Sequence, residues 1–454
     1  MKMKKILILF LTAIFIVSIA VTGISCRADE TAPAEETTAD ETAPAEETTA
    51  EATTVEEEAS AEPVTIDFLN FSANEGANVT ILDLMKAVFE SDHPNVTVNI
   101  ETVGYDDYFT LLQTRVAAGE VADAFELNLD NFVVHRSEGA LLPLNDLLAS
   151  SPIDPDVMPQ EGIDKFALDG SQYALPYSYS TVVLVYNKDI FDEAQIDYPT
   201  DSWTWADVDA AALKIKETLG DDYNGIIQPL QFWEFFKLVR QNGGSLFNDD
   251  GTAFTLNTPE NLETLQHAVD RVLVSNISPT PQQFGTLDEW GLWKLGKTGM
   301  IVTGTWSFPT FTTETDFNWD IAVEPGNTKK ATHYFVNVLS VSKDSANPQI
   351  AYEWIKFLST SKEMASARIK VGWELPTAVY DDVLAEYSKT TPPENKQAVF
   401  ESLKYSITQP LIIQLNKMAD IIGQELGLAL DGEKTPQQAL DDAQALLEAG
   451  VTLQ

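Results

Sequence analysis

Tyr173-Ala-Leu-Pro-Tyr-Ser-Tyr-Ser-Thr-Val-Val-Leu-Val-Tyr-Asn187 is the stretch on which the fold turns. Its fifteen residues have strand character, with Pro176 confined to the start, where a missing N–H is tolerated. Strands usually run five or six residues. A segment this long predicts a strand that leaves one compact unit and enters another. Residues 333–342 (HYFVNVLSVS) form a second long strand and a natural return crossing, and Gly372-Trp-Glu-Leu-Pro376 marks a third. Extended crossings between compact units imply a hinge and a cleft.

On the N-terminal side, residues 64–71 alternate and are β-branched at their start, residues 81–91 (ILDLMKAVFES) show helical spacing, and residues 95–101 (NVTVNIE) return to alternation. Residues 107–118 are helical again and 121–127 form a short apolar run. The order β-α-β-α-β predicts an α/β unit with a largely parallel sheet. Helix and strand signals alternate as far as Ala346. Beyond it the pattern is mostly helical, at 348–359, around Leu384, at 410–430 and at 436–449, the last opened by the cap-and-proline pair Thr435-Pro436. Residues 291–298 (GLWKLGKT) satisfy the phosphate-loop spacing, but that mechanism needs a strand before the loop and a helix after it. Here the pattern predicts a helix over 286–295 and a strand over 300–303, so nucleotide binding is excluded.

The two ends of the chain differ. Lys2, Lys4 and Lys5 precede an apolar run over residues 6–21 and a small-residue exit at 22–26, which describes a secretory leader. Cys26, the only cysteine among 454 residues, stands where a bacterial lipoprotein carries its lipid, although Gly23 takes the place of the usual leucine. Residues 27–63 hold thirteen Asp/Glu against one Arg, and DETAPAEETTA at 29–39 recurs unchanged at 40–50. Such text buries nothing and repels itself, as an extended linker does. With 70 Asp+Glu against 28 Lys+Arg the chain lacks the cations that nucleic acid demands, and one Cys with four His offers no metal cluster. Residues 64–454 suffice for two lobes with separate cores.

The text resembles the extracellular solute-binding proteins of ABC importers, in the group containing the maltose-binding protein. The pieces that carry the resemblance lie in order at 122–126 (ADAFE), 138–147 (EGALLPLNDL), 169–176 (DGSQYALP), 184–191 (LVYNKDIF), 202–207 (SWTWAD), 242–247 (NGGSLF), 296–306 (GKTGMIVTGTW) and 347–358 (NPQIAYEWIKFL). The resemblance implies an α/β, two-lobed periplasmic-binding-protein-like fold with hinge strands and a ligand cleft. Its lobes would be residues 64–177 with 338–372 and residues 178–337 with 373–454. It further implies a monomeric, non-enzymatic receptor without cofactor, lipid-anchored outside the cytoplasm, which hands a sugar to permease subunits.

Sugars present hydroxyl edges and apolar C–H faces, so a site needs planar hydrogen-bonding groups and aromatic plates. Trp306 follows a buried strand and the flexible Gly304, and matches the family's stacking tryptophan. Trp233 opens an aromatic helix start (QPLQFWEFF, 228–236), with Gln231 beside it. Alternation aims Tyr177 and Tyr179 to one side of the hinge strand, with Ser180 next to them. Asn74 and Glu75 follow the first strand at its carboxyl end, where α/β sheets bind ligands. Asn128 and Asp130 follow another strand end. Asp130 matches the family's sugar-contacting acid, or else caps the next helix. Trp373 sits on the third crossing. Two rival functions carry the same leader: a secreted glycan-acting enzyme, which needs a carboxylate pair across the cleft, and a ligand module for a membrane sensor.

Overall fold

The computed structural model describes residues 62–73, 76–407, 410 and 412–453. The leader, Cys26, nearly all of the linker, Asn74 and Glu75 lie outside them. β1 (Val64–Asn70), β2 (Val96–Thr102) and β3 (Ala124–Asn128) are joined by helices Gly76–Asp92 and Tyr105–Ala118. β1 pairs in parallel with both neighbours, the outcome expected when an amphipathic helix packs back on the sheet between successive strands. A hairpin of β4 (Ala167–Leu168) and β5 (Ser171–Gln172) turns on Asp169 and Gly170, both at positive φ. There follow β6 (Leu175–Asn187), β7 (Asn224–Ile227), β8 (Thr298–Gly304), β9 (Trp319–Ala322), β10 (Thr332–Val341), β11 (Leu375–Pro376) and β12 (Ser406–Ile407). The main sheet runs β2-β1-β3-β10-β6-β8-β7.

The fold is mixed α/β with two lobes, and β6 and β10 belong to both. Residues 175–181 of β6 pair antiparallel with β10, whereas residues 182–187 pair with β8 and β9. β10 likewise gives Tyr334–Leu339 to β6 and Asn337–Val341 to β3. Parallel pairing therefore flanks an antiparallel centre. β11, the third crossing, pairs with β6 at Tyr179 and Ser178. Helix Glu289–Lys294 precedes β8, the reverse of a phosphate loop.

The first three strands sit between two hydrophobic clusters, one built on Phe68, Phe89 and Trp354, the other on Leu69, Tyr108 and Phe132. β6 beyond Thr181 and β8 sit between two more, around Trp293 and Phe311 and around Phe191 and Ile215. A fifth cluster joins helices Phe232–Gln241, Pro259–Leu273, Leu415–Leu430 and Pro436–Gly450. Helix Leu415–Leu430 starts later than residue 410, and helix Pro436–Gly450 opens with a capping box of Thr435 and Gln438.

Lys237 is wholly buried between Glu234 (2.9 Å) and Glu324 (2.7 Å). Burial works against its charge, but the two carboxylates outweigh burial and hold the ammonium above the ordinary lysine value. Removing one partner of a buried ion pair strands the others at a cost of about 3–5 kcal/mol. Lys237→Met should lower the urea midpoint correspondingly, and the triple change with Glu234→Gln and Glu324→Gln should recover most of the loss.

Candidate functional site

The end of β1 is held by a buried carboxylate. Glu126 on β3 accepts hydrogen bonds from Phe71 N (3.3 Å), Ser72 N (3.2 Å) and Ser72 Oγ (2.9 Å). Burial pushes its carboxyl up to about 7, against the pull of the Ser72 hydrogen bonds. Two residues on, Asn128 caps helix Leu129–Ser137. Its Oδ1 accepts from Asn131 N (3.0 Å) and its Nδ2 donates to Tyr105 Oη (3.3 Å). The cap is thus Asn128, and Asp130 falls in the first turn with a free task. Asp130 Oδ1 is buried without a hydrogen-bond partner, and burial pushes this carboxyl up to about 7. An acceptor left unpaired beside a helix N-terminus suits a ligand that donates hydroxyls.

The second group of residues belongs to the other lobe and to the crossing strands. Trp306 stands in the single 3₁₀ turn Thr305–Ser307 after β8, fixed by Ser307 Oγ donating to Gly304 O (2.8 Å). Gly304 has ordinary extended geometry (φ −93°), and a Cβ there would overlap the six-membered ring of Trp306. The glycine supplies space for the indole, not the flexibility expected of it. Phe335 meets Trp306 at 5.7 Å and Trp233 at 6.2 Å, ring centre to ring centre. Trp233 is half-buried, whereas its neighbours Phe232, Phe235 and Phe236 are core. Gln231 is exposed, yet its side chain is spent accepting from Trp233 N (2.8 Å) as the helix cap. His333 Nε2 donates to Trp233 O (2.7 Å), and its ring stacks on Phe335 at 4.9 Å. Burial, with Lys237 nearby, pushes this imidazole down to about 3, so it packs as a neutral ring.

The strand register sets the two groups near one another along β10. Asn337 pairs with Asn128, and Phe335, which carries Trp306 and Trp233, lies two residues back, about 7 Å at strand rise. Tyr179 packs on Tyr334 at 5.7 Å, and since successive strand residues face opposite sides it lies across the sheet from Phe335. Tyr177 joins neither group. The β6/β10 ladder pairs Ser178 with Asn337 and Pro176 with Val338, so Tyr177 is the extra residue of a bulge and the alternation breaks there. Tyr177 is 2% exposed and Trp373 likewise, and the two rings clamp the Arg368 guanidinium at 4.0 and 3.9 Å. Ser180 is buried as well, with an unpaired Oγ. These three are buried in the packing. Sequence reading missed Phe335 and His333, because an aromatic in a long strand gives no sign of which face it occupies.

Two surface hollows of about 290 and 220 Å³ lie elsewhere and include none of these residues. Among the described residues no group of three or more His, Cys, Asp or Glu is placed to hold a metal, and no helix is long and apolar enough to cross a membrane.

Residues 72–365, more than half of the chain, match the bacterial extracellular solute-binding protein family. The chain belongs to that family. It is similar to an ABC substrate-binding protein of Listeria monocytogenes solved in complex with cycloalternan, at 39% identity and a TM-score of 0.81, covering 86% of this chain and 99% of that one. A binding protein of Brucella abortus (strain 2308) is 25% identical over 80% of this chain and 88% of its own length. The galactooligosaccharide-binding protein of Bacillus subtilis (strain 168) is 24% identical over 79% and 83%. For a member of this family the Trp306–Phe335–Trp233 group and the unpaired Asp130 carboxyl are the natural places to seek the solute.

A carboxyl raised on folding stabilises below its unfolded value, near 3.9, and loses that contribution as pH rises through the folded value near 7. Asp130→Asn should therefore melt above the parent at pH 8, with the gap narrowing as pH falls from 7 towards 4 in a scanning-calorimetry series.

Proposed function

We propose that this chain is the carbohydrate receptor of an ABC importer and closes its lobes around an oligosaccharide such as cycloalternan. The observation that carries the reading is the 39% identity, over nearly the full length, to a receptor solved with that ligand. In this reading the lobes are residues 64–177 with 338–372 and 178–337 with 373–454, and the solute sits between them beside Phe335 of β10. Trp306 and Trp233 offer plates for the C–H faces, Asp130 accepts hydroxyls, and Gln231, its oxygen spent on the helix cap, offers its amide N–H. Closure follows from the ligand's contacts with both lobes, since a solute shifts the equilibrium only by its differential affinity for the closed state. Residues 1–26 direct export, Cys26 carries the lipid, residues 27–63 hold the body off the membrane, and permease subunits receive the closed form.

Micromolar capture corresponds to about −8 kcal/mol, within reach of two or three stacked rings and several hydrogen bonds. Cycloalternan at a hundredfold excess over its Kd should add about 2.7 kcal/mol of stability, visible as a rise in melting temperature. A screen in which neither cycloalternan nor any linear oligosaccharide moves the melting curve would sink the reading.

Trp306→Ala should weaken binding tenfold or more by isothermal titration calorimetry, about 1.4 kcal/mol. Gly304→Ala should do so through displacement of the indole. Tyr177→Phe, a change inside the core, should leave affinity within twofold.

A further inference from the structure

Each of the three crossings carries residues of more than one hydrophobic cluster. On β6, Tyr177 packs in the cluster of Trp354 while Tyr179 packs against those of Tyr387 and of Leu69. On the third crossing, Trp373 lies with Trp354 and Leu375 with Tyr387. On one face of β10, Leu339 lies with Trp354 and Phe335 packs beside Trp306 against another cluster, while on the other face Tyr334, Val336 and Val338 all stay with Leu69 and Phe132. Between Tyr177 and Tyr179, between Trp373 and Leu375, and between Phe335 and Leu339 stand Ser178, Glu374 and Asn337, all polar and all less than one-tenth exposed.

They meet at a single atom. Glu374 Oε2 accepts from Ser178 Oγ at 2.6 Å and from Asn337 Nδ2 at 3.0 Å. Arg368 Nη1 stands 3.9 Å from the same oxygen, its guanidinium clamped by Tyr177 and Trp373. The β6/β10 bulge falls at the same level. A bulge is where a ladder bends most readily, and a buried donor or acceptor that loses its partner costs its full desolvation. No crossing can rotate or slide alone without stranding a buried group at this carboxylate.

We infer that Glu374 is the positioning residue of the hinge: its carboxylate couples the three crossings, so that they bend as one and the ligand-free protein holds a defined angle between its lobes. The inference rests on the two-lobed fold and needs neither a sugar ligand nor any proposed ligand contact.

The test uses the ligand-free chain with Cys26→Ser and spin labels on Glu120→Cys and Asp221→Cys, two exposed positions on either side of the crossings. Electron–electron distance measurements should give one narrow distribution for the parent. Ser178→Ala and Asn337→Ala each release one strand and should broaden that distribution and move its centre by several ångströms, with Glu374→Gln doing so most. Glu374→Gln also takes the nearest carboxylate from Arg368 and can fail to fold, so the two milder variants carry the decision. Tyr352→Phe loses a hydrogen bond to Ser151 O (2.7 Å) within one cluster, and should lower the melting temperature without altering the distance. Folded Ser178→Ala and Asn337→Ala with distributions superimposable on the parent's would overturn the inference. Absence of cycloalternan binding by the parent would count against the carbohydrate reading alone, since the distances are measured without ligand.

Discussion

Strands β6 and β10 each have their two ends in different hydrophobic clusters, and that constraint organises the molecule. A strand buried on both faces over most of thirteen residues cannot be assigned to one lobe without exposing the other half of its side chains. Both lobes must therefore be assembled around the same two strands. The antiparallel centre of the sheet follows, because β6 and β10 run past each other in opposite directions between the parallel units. The meeting of Trp306 and Trp233 on Phe335 follows too. Side chains at the middle of a strand shared by two lobes are the ones both lobes can reach.

The candidate groups differ in how they are held. Trp306 and Trp233 are fixed by what lies behind them: a glycine with no room for a Cβ, a cap supplied by Gln231, and a neutral histidine bonded to the Trp233 carbonyl. Their rings are consequently positioned without being fully buried. Asp130 is the opposite case, a carboxylate poorly served by the protein and raised by burial. Rigid plates and an under-satisfied acceptor are complementary to a solute with apolar faces and donating edges. Membership of the extracellular solute-binding family gives that arrangement its context.

The polar interior does two separate jobs. Around Lys237, one buried ammonium is shared by two carboxylates and ties helix Phe232–Gln241 to Glu324, two residues past β9. Around Glu374, a carboxylate meets a hydroxyl, an amide and a ring-clamped guanidinium at the boundary between clusters. Buried polar contacts are directional where hydrophobic ones are not, so they define where a chain bends as well as whether it packs.

The length of the 173–187 run and the alternation at 333–342 were enough to place β6 and β10 nearly to the residue, because strand length and period are local properties. Helix starts with a cap and a proline, such as Thr435-Pro436, were equally legible. The roles of Trp306 and Asp130 were visible only as a family likeness, and the meeting of Trp306 and Trp233 on Phe335 not at all. Tyr177 and Tyr179 show the limit most plainly. Alternation places both on one face, but the bulge opposite Asn337 and Val338 turns Tyr177 into the core. A bulge is decided by how two distant strands bond, and neither strand carries it alone. Chain-local chemistry determined the elements and their order. Which side chains face the solute, and which oxygen joins three crossings, was settled only when those elements packed, since contacts between distant residues depend on register and burial that no stretch of sequence possesses by itself.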